Sequence, residues 1–317
     1  MASGPKVVVY AALFGNGLIA LSKFAVASIT GSSAMFSEAI HSVVDCGNQG
    51  LMLLGLKRAS RPADAQHPFG YGMELYFWTF IVAILIFAVG SGISIYEGIG
   101  RILHPEPIKS PEWSYAVLTL AMIIEGIAWV IAYKEFEKTR GNQGYYAAIR
   151  KSKDPTVFTI LFEDSAAMLG LVIALGGIWG AQTFNLPMLD GAASIGIGIV
   201  LALVAILLAV ESKGLLLGES ASPEVVRQIK QIISADPRIT GVNEVLTMHL
   251  GPQDILLAVS ADFDDGLTAD LVERAISDFE SEIKSLLPDV KRIFIEAQSW
   301  SQHRASAIAA GEVPYKP

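Results

Sequence analysis

Residues 34–56 read AMFSEAIHSVVDCGNQGLMLLGL, an apolar run broken by Glu38, His41, Asp45 and Asn48. About 20 helical residues rising ~1.5 Å each cross a hydrocarbon core, so the stretch is predicted to span a membrane. The four polar residues are spaced by three, four and three, which places them on one face of that helix. An ionisable group at mid-bilayer costs at least a few kcal/mol even on the lenient insertion scale, so each needs a partner, a wet cavity or a task. A His and an Asp at i and i+4 can aim an imidazole and a carboxylate at one point, and these donors suit zinc and related divalent ions.

Similar runs recur outward from this one. Apolar stretches at 7–29, 34–56, 76–99, 113–133, 157–181 and 188–210 predict six spans. A tight Gly31-Ser32-Ser33 turn and a short link at 182–187 make the first and last pairs antiparallel hairpins. Lys57, Arg58 and Arg61 follow the second span, and Lys134, Lys138, Arg140, Arg150, Lys151 and Lys153 follow the fourth, whereas the loop after the third holds only Arg101 and Lys109. The positive-inside rule then puts both termini in the cytoplasm. Glycines crowd the third span (Gly90, Gly92, Gly98, Gly100) and the sixth (Gly191, Gly196, Gly198), which lets helix backbones approach closely.

Composition agrees. The chain has 317 residues, 52% of them hydrophobic and 17% charged, and a mean hydropathy of +0.47, outside the usual balance of a soluble domain. Most acidic residues lie after Glu211, so the net charge of -8 describes mainly a soluble tail. Such a tail repels nucleic acid, and no basic run offers a path for a phosphate backbone, which excludes nucleic-acid partners. The single Cys46 excludes an intrachain disulfide. Lys6 before the first apolar run, with Lys23 inside it, reads as a first membrane helix and not a cleaved signal. A short chain without a presequence points to a bacterial inner membrane.

Beyond Gly218, Ser222-Pro223-Glu224 is a helix start: a capping hydroxyl, proline in the first turn and an acid near the positive dipole end. Strands are expected at 242–250 and 255–263 around a Gly251-Pro252-Gln253-Asp254 turn. A helix at 268–287 and a strand at 290–297 follow. The expected fold is therefore an all-α six-helix transmembrane bundle (1–213) followed by a small α+β cytoplasmic domain of α-β-β-α-β order, ferredoxin-like (214–300). Residues 301–317 are expected to be a disordered tail.

The fifth span adds Glu163 and Asp164. At ~1.5 Å per residue, Asp45 sits about 16 Å below the outer start of its helix and Asp164 about 12 Å above the inner start of its own, both near mid-membrane. Neighbours on a helix point ~100° apart, so Glu163 and Asp164 cannot both face the second span squarely. Glu125 in the fourth span is open to ligation, to proton handling or to a structural role. Lys23 snorkels or pairs with a carboxylate. Glu38 is placed at the outer mouth, with proton coupling as its candidate role. His104 and His303 read as solvated, and His249 as packed in the sheet.

With these residues the chain resembles the cation diffusion facilitator family, through the Ser-x-Ala-x-His-Ser-x-x-Asp pattern at 37–45 and the element order. The loop His67-Pro68-Phe69-Gly70-Tyr71-Gly72-Met73-Glu74, the following Tyr76-Phe77-Trp78, and Phe162-Glu163-Asp164-Ser165-Ala166-Ala167 resemble its zinc transporter 9 branch. The resemblance implies a homodimer that exchanges cytoplasmic Zn²⁺, or Mn²⁺, Fe²⁺ or Co²⁺, for protons by alternating access. No prosthetic group is implied. His41, Asp45 and Asp164 carry over as metal ligands. Ile160 stands where the family has a His or Asp, so water, Glu163, Asn48 or Glu125 completes the site. An accessory loop site keeps His67 and Asp64, but Tyr71 replaces a second His. Glu296 alone remains of the ligands near the last strand, so the C-terminal domain is expected to assemble and not to sense metal. A membrane metallohydrolase would need a further nitrogen ligand, and His41 is the only histidine in any span. A non-transporting scaffold would use the same polar residues merely to hold helices together.

Overall fold

The computed structural model describes residues 3–140, 144 and 153–311, and these form two compact units. The first contains α1 (Ser3–Thr30), α2 (Ser33–Ala59), α3 (Glu74–Leu85), α4 (Gly92–Leu103), α5 (Pro111–Arg140), α6 (Pro155–Thr183) and α7 (Met188–Leu216). A π-helical stretch, Ile86–Ser91, joins α3 to α4 as one continuous rod. Among the described residues four helical segments are long and apolar enough to cross a membrane: Glu74–Leu103, Pro111–Lys138, Phe158–Thr183 and Met188–Leu216. The helices α1 and α2 are comparably long, at 28 and 27 residues. Arg150 and Lys151, part of the basic loop read from the sequence, lie outside the described residues.

This unit packs an apolar interior around Phe158, Leu171, Ile178, Ile197, Leu201 and Leu208, and it also turns apolar residues outward. Leu21, Ile127, Ile131, Leu203 and Val210 are mostly exposed, as expected where the surrounding solvent is lipid. Gly98, Gly191 and Gly198 mark close helix approaches, whereas a Cβ at Gly100 would meet nothing within 4 Å. A Cβ on Gly98 would lie 2.6 Å from the Gly191 carbonyl oxygen, so neither position admits a side chain at the present separation of α4 and α7. The hairpin links use left-handed residues: Gly31 at φ +66 after α1 and Asn185 at φ +55 after α6. Around Asn185 the Leu186 N–H returns to the Ala181 carbonyl and the Asn185 N–H to that of Gln182, closing the helix end.

The second unit comprises Arg61–Met73 together with the chain from Gly214 onward. Its elements are α8 (Pro223–Ser234), β1 (Ile239–Gly251), β2 (Asp254–Phe263), α9 (Ala269–Leu286), β3 (Val290–Ala297) and α10 (Trp300–Ala309). The sheet order is β1-β2-β3, with β1 antiparallel and β3 parallel to β2. Ile229 and Ile233 of α8 and Ala275, Phe279 and Ile283 of α9 bury against Leu257, Val259 and Ala261 of β2, which makes two layers.

Two expectations need correction. The segment after Gln298 is not a structureless tail: Ser299 caps α10 by accepting from the Gln302 N–H, and Trp300–Ala309 is helical. The short capping signal was hidden in a polar, weakly periodic stretch. Residues 312–317 lie outside the described residues. The loop 61–73, assigned above to the membrane part, belongs to the second unit. Gly72 lies against the backbone of Leu250 and Gly251 too closely to admit a side chain, and the Arg292 guanidinium sits 5.5 Å from the centre of the Phe69 ring.

A clamp between α8 and β1 gives this unit a pH dependence. Asp236 accepts from the Arg238 backbone N–H at 2.8 Å, from Nε at 2.9 Å and from Nη2 at 2.7 Å, and Nη2 also reaches Asp278 on α9 at 2.9 Å. The Arg238 side-chain bonds hold the Asp236 carboxyl below the usual carboxylate range. The stability this contributes is present above the unfolded pKa of about 4 and is lost as pH falls through the lower folded value. Arg238→Leu should lower stability at neutral pH and flatten the acid limb. Hydrogen exchange of the β1–β2 peptides from pH 6 to pH 3, corrected for intrinsic rates, reads both effects.

Candidate metal-transport site

The helix that carries the polar face is anchored at its start. Ser32 caps α2 by accepting from the Met35 N–H. Asp190, fully buried in the first turn of α7, accepts from the Ser32 hydroxyl at 2.6 Å, the Ser33 N–H at 2.6 Å, the Ser33 hydroxyl at 3.0 Å and the Ala34 N–H at 3.3 Å. Arg101 Nε lies 3.7 Å from the same carboxylate. A negative group at a helix N-terminus satisfies donors that have no partner within the helix and meets the positive end of the dipole. One turn on, the Ser37 and Ser194 hydroxyls meet at 2.8 Å. The sequence reading missed Asp190. The signal was there: an acid at the start of a span otherwise uncharged as far as Glu211.

His41 is 2% exposed. Its Nδ1 lies 3.4 Å from Asp45 Oδ1, but neither ring nitrogen nor that oxygen makes a hydrogen bond. One helical turn beyond His41, Asp45 opens on a cavity of about 440 Å³. Glu163 and Asp164 of α6 and Glu125 of α5 line the same space, with Ser42 of α2. Glu163 faces α2, where it accepts from Asn48 Nδ2 at 2.8 Å, so Asn48 is committed to orienting a carboxylate. His41 is not among the residues lining the cavity. Among the described residues no three of His, Cys, Asp and Glu come within ligating reach of one point. The candidate donors are thus brought to one region but not closed around one position.

Other expectations shift. Ile160 lines the cavity with an apolar side chain, and the neighbouring Thr159 hydroxyl is buried without a partner. Glu38 is not at an outer mouth: it is fully buried, as is Lys23. Of the two roles expected of Lys23 it takes the second, pairing with carboxylates and not snorkelling. Its Nζ donates to Glu38 Oε2 at 3.0 Å, Ser42 Oγ at 2.9 Å and Glu125 Oε1 at 2.9 Å. Sequence spacing could not reveal this cluster, because it unites three helices. The loop pair Asp64 and His67 stands 3.5 Å apart, but the carboxylate accepts from the Gln66 and His67 N–H groups and from the Tyr71 hydroxyl. Those bonds, led by Tyr71, hold its pKa below the usual carboxylate range. The Tyr71 hydroxyl thus occupies one oxygen of the Asp64 carboxylate. Glu296 is exposed on β3, and His249 is buried with Nδ1 3.2 Å from the Gly251 carbonyl oxygen. His104 caps α4 at the surface, whereas His303, expected to be solvated, is half-buried on α10 beside Gln298.

The profile of the cation efflux transmembrane domain matches residues 9–217. The chain belongs to the cation efflux family. Mouse and human relatives named as the mitochondrial proton-coupled zinc antiporter SLC30A9 are each 35% identical over 263 residues, covering 82% of this chain and 46% of their own length. The metal tolerance protein C4 of Arabidopsis thaliana is 29% identical over 254 residues, 80% of this chain and 56% of its own. A cation-efflux pump FieF of Escherichia coli is 24% identical over 261 residues, 78% and 79% of the two chains. The chain spans about half the length of the zinc antiporters it matches. As a cation efflux protein it is an integral membrane protein, in keeping with its apolar helices.

Proposed function

We propose that this chain exports a divalent cation, zinc foremost, in exchange for protons by alternating access. It works as a homodimer of six-span protomers with both termini and the α+β unit in the cytoplasm. The observation that carries the proposal is the set of unsatisfied donors at mid-helix. Burying a polar group without a partner costs a few kcal/mol, and His41 and Asp45 both do so beside a cavity lined by Asp164 and Glu163. A divalent ion satisfies such donors. Its ligands are His41, Asp45 and Asp164, with Glu163 as the neighbouring carboxylate held by Asn48. Metal binding needs the imidazole and carboxylates free of protons, so the two kinds of ion exclude each other on the same atoms, and a proton gradient can drive metal the other way. The name of the mouse and human relatives supports zinc and protons as the exchanged pair.

In sealed proteoliposomes, zinc flux should follow an imposed pH gradient, exceed that of manganese, iron and cobalt, and collapse when a protonophore removes the gradient. Zinc flux that ignores the gradient would overturn proton exchange, and no flux of any of these metals would overturn transport.

A further inference from the structure

We propose that the Lys23 ammonium is a built-in cation: it fills a second cation position beside the metal cavity and thereby restricts the chain to one transported ion. An ammonium has three protons to donate and nothing to accept with, and Lys23 spends all three, on Glu38, Ser42 and Glu125. Its ligands come from α2 and α5 while the lysine comes from α1, so the position is assembled by the fold and not by one helix. Two carboxylates and a hydroxyl around a fully buried positive charge are oxygen donors of the kind that hold a metal cation. The position is also incompletely neutralised. Glu38 Oε1 and Glu125 Oε2 are buried with no hydrogen-bond partner, so the two carboxylates retain donor capacity that a single ammonium does not use.

The cluster adjoins the cavity directly, since Glu125 and Ser42 belong to both. With the position vacated at Lys23, Glu125 and Glu38 would be open to a free ion beside the one held by Asp45, Glu163 and Asp164, and the region would hold two. With Lys23 present, Glu125 is already engaged. A tethered ion cannot leave when the protein changes conformation, so it fixes the local charge through the whole cycle and exchanges with neither solution.

The inference rests on the reading of the neighbouring cavity as a metal site, and the test separates the two. Bound zinc per chain is measured at saturation on the full chain in detergent, for the natural protein, for Lys23→Ala, which vacates the position, and for Lys23→Met, which fills it without charge. The expected result is one more zinc per chain in Lys23→Ala than in the natural protein, and none extra in Lys23→Met. No zinc on the natural protein would sink the transport reading itself. Zinc on the natural protein with the same number on a folded Lys23→Ala would overturn the built-in cation alone. Should Lys23→Ala fail to fold, methylammonium added during extraction should restore a monodisperse protein, because it returns a hydrogen-bonding cation to the vacancy. Tetramethylammonium, which cannot donate, should not. Rescue by neither, or equally by both, would also overturn the proposal.

Discussion

Asp45→Ala is expected to abolish proton-driven zinc exchange and to lower zinc affinity on the order of a hundredfold, about 2.8 kcal/mol. The aspartate both opens on the cavity and lies 3.4 Å from His41 Nδ1. Its loss removes one ligand and the partner that would orient another. Stability should move the other way. Asp45 Oδ1 is buried without a hydrogen bond, and removing an uncompensated carboxylate relieves a desolvation cost. The variant should therefore unfold at the same temperature as the natural protein or a higher one, the usual trade between stability and a functional site. Zinc titration and vesicle flux, read beside a melting curve, test both halves. Full exchange activity in a folded Asp45→Ala protein would dismiss the site.

Asp190→Ala is expected to have the largest effect on stability, about 3–5 kcal/mol, because it removes the charged acceptor of a buried hydrogen-bonded cluster. The hydroxyls of Ser32 and Ser33 and the N–H groups of Ser33 and Ala34 lose their acceptor together, and Arg101 loses a charge partner 3.7 Å away. Buried donors without acceptors cost about 1–3 kcal/mol each when nothing replaces them. Asp190→Asn keeps one oxygen in place and should lose roughly half as much. Because α2 begins at this clamp, the alanine variant should also weaken zinc binding, although Asp190 is far along the chain from any ligand. Thermal unfolding in detergent distinguishes the variants, and equal stability of Asp190→Ala and the natural protein would refute the account.

The membrane helices and the strands were legible because hydropathy and β-branched runs are local signals. The helical face of Glu38, His41, Asp45 and Asn48 was legible too, since spacing of three and four fixes a face whatever it packs against. What those residues touch was not legible. Lys23 and Glu125 are a hundred positions apart, and only the crossing of α1, α2 and α5 makes them partners. The same holds for Asp190 and Ser32. The two carboxylates of α6 fall between these cases: the ~100° step said that they could not both face α2 squarely, Glu163 is the one bonded to Asn48 of α2, and both line the cavity. Loop 61–73 misled because its neighbours in sequence are membrane helices, while its neighbours in space are Leu250, Gly251 and Arg292.

That loop makes the second unit a poor candidate for exchange as a cassette. A graft that swaps only the chain after residue 213 would set a foreign hairpin against the native Gly72 and a foreign counterpart of Arg292 against the native Phe69, so any working chimaera must carry two inserts. The same splice means that a truncation before Gly214 strands residues of the 61–73 loop whose packing partners have been deleted.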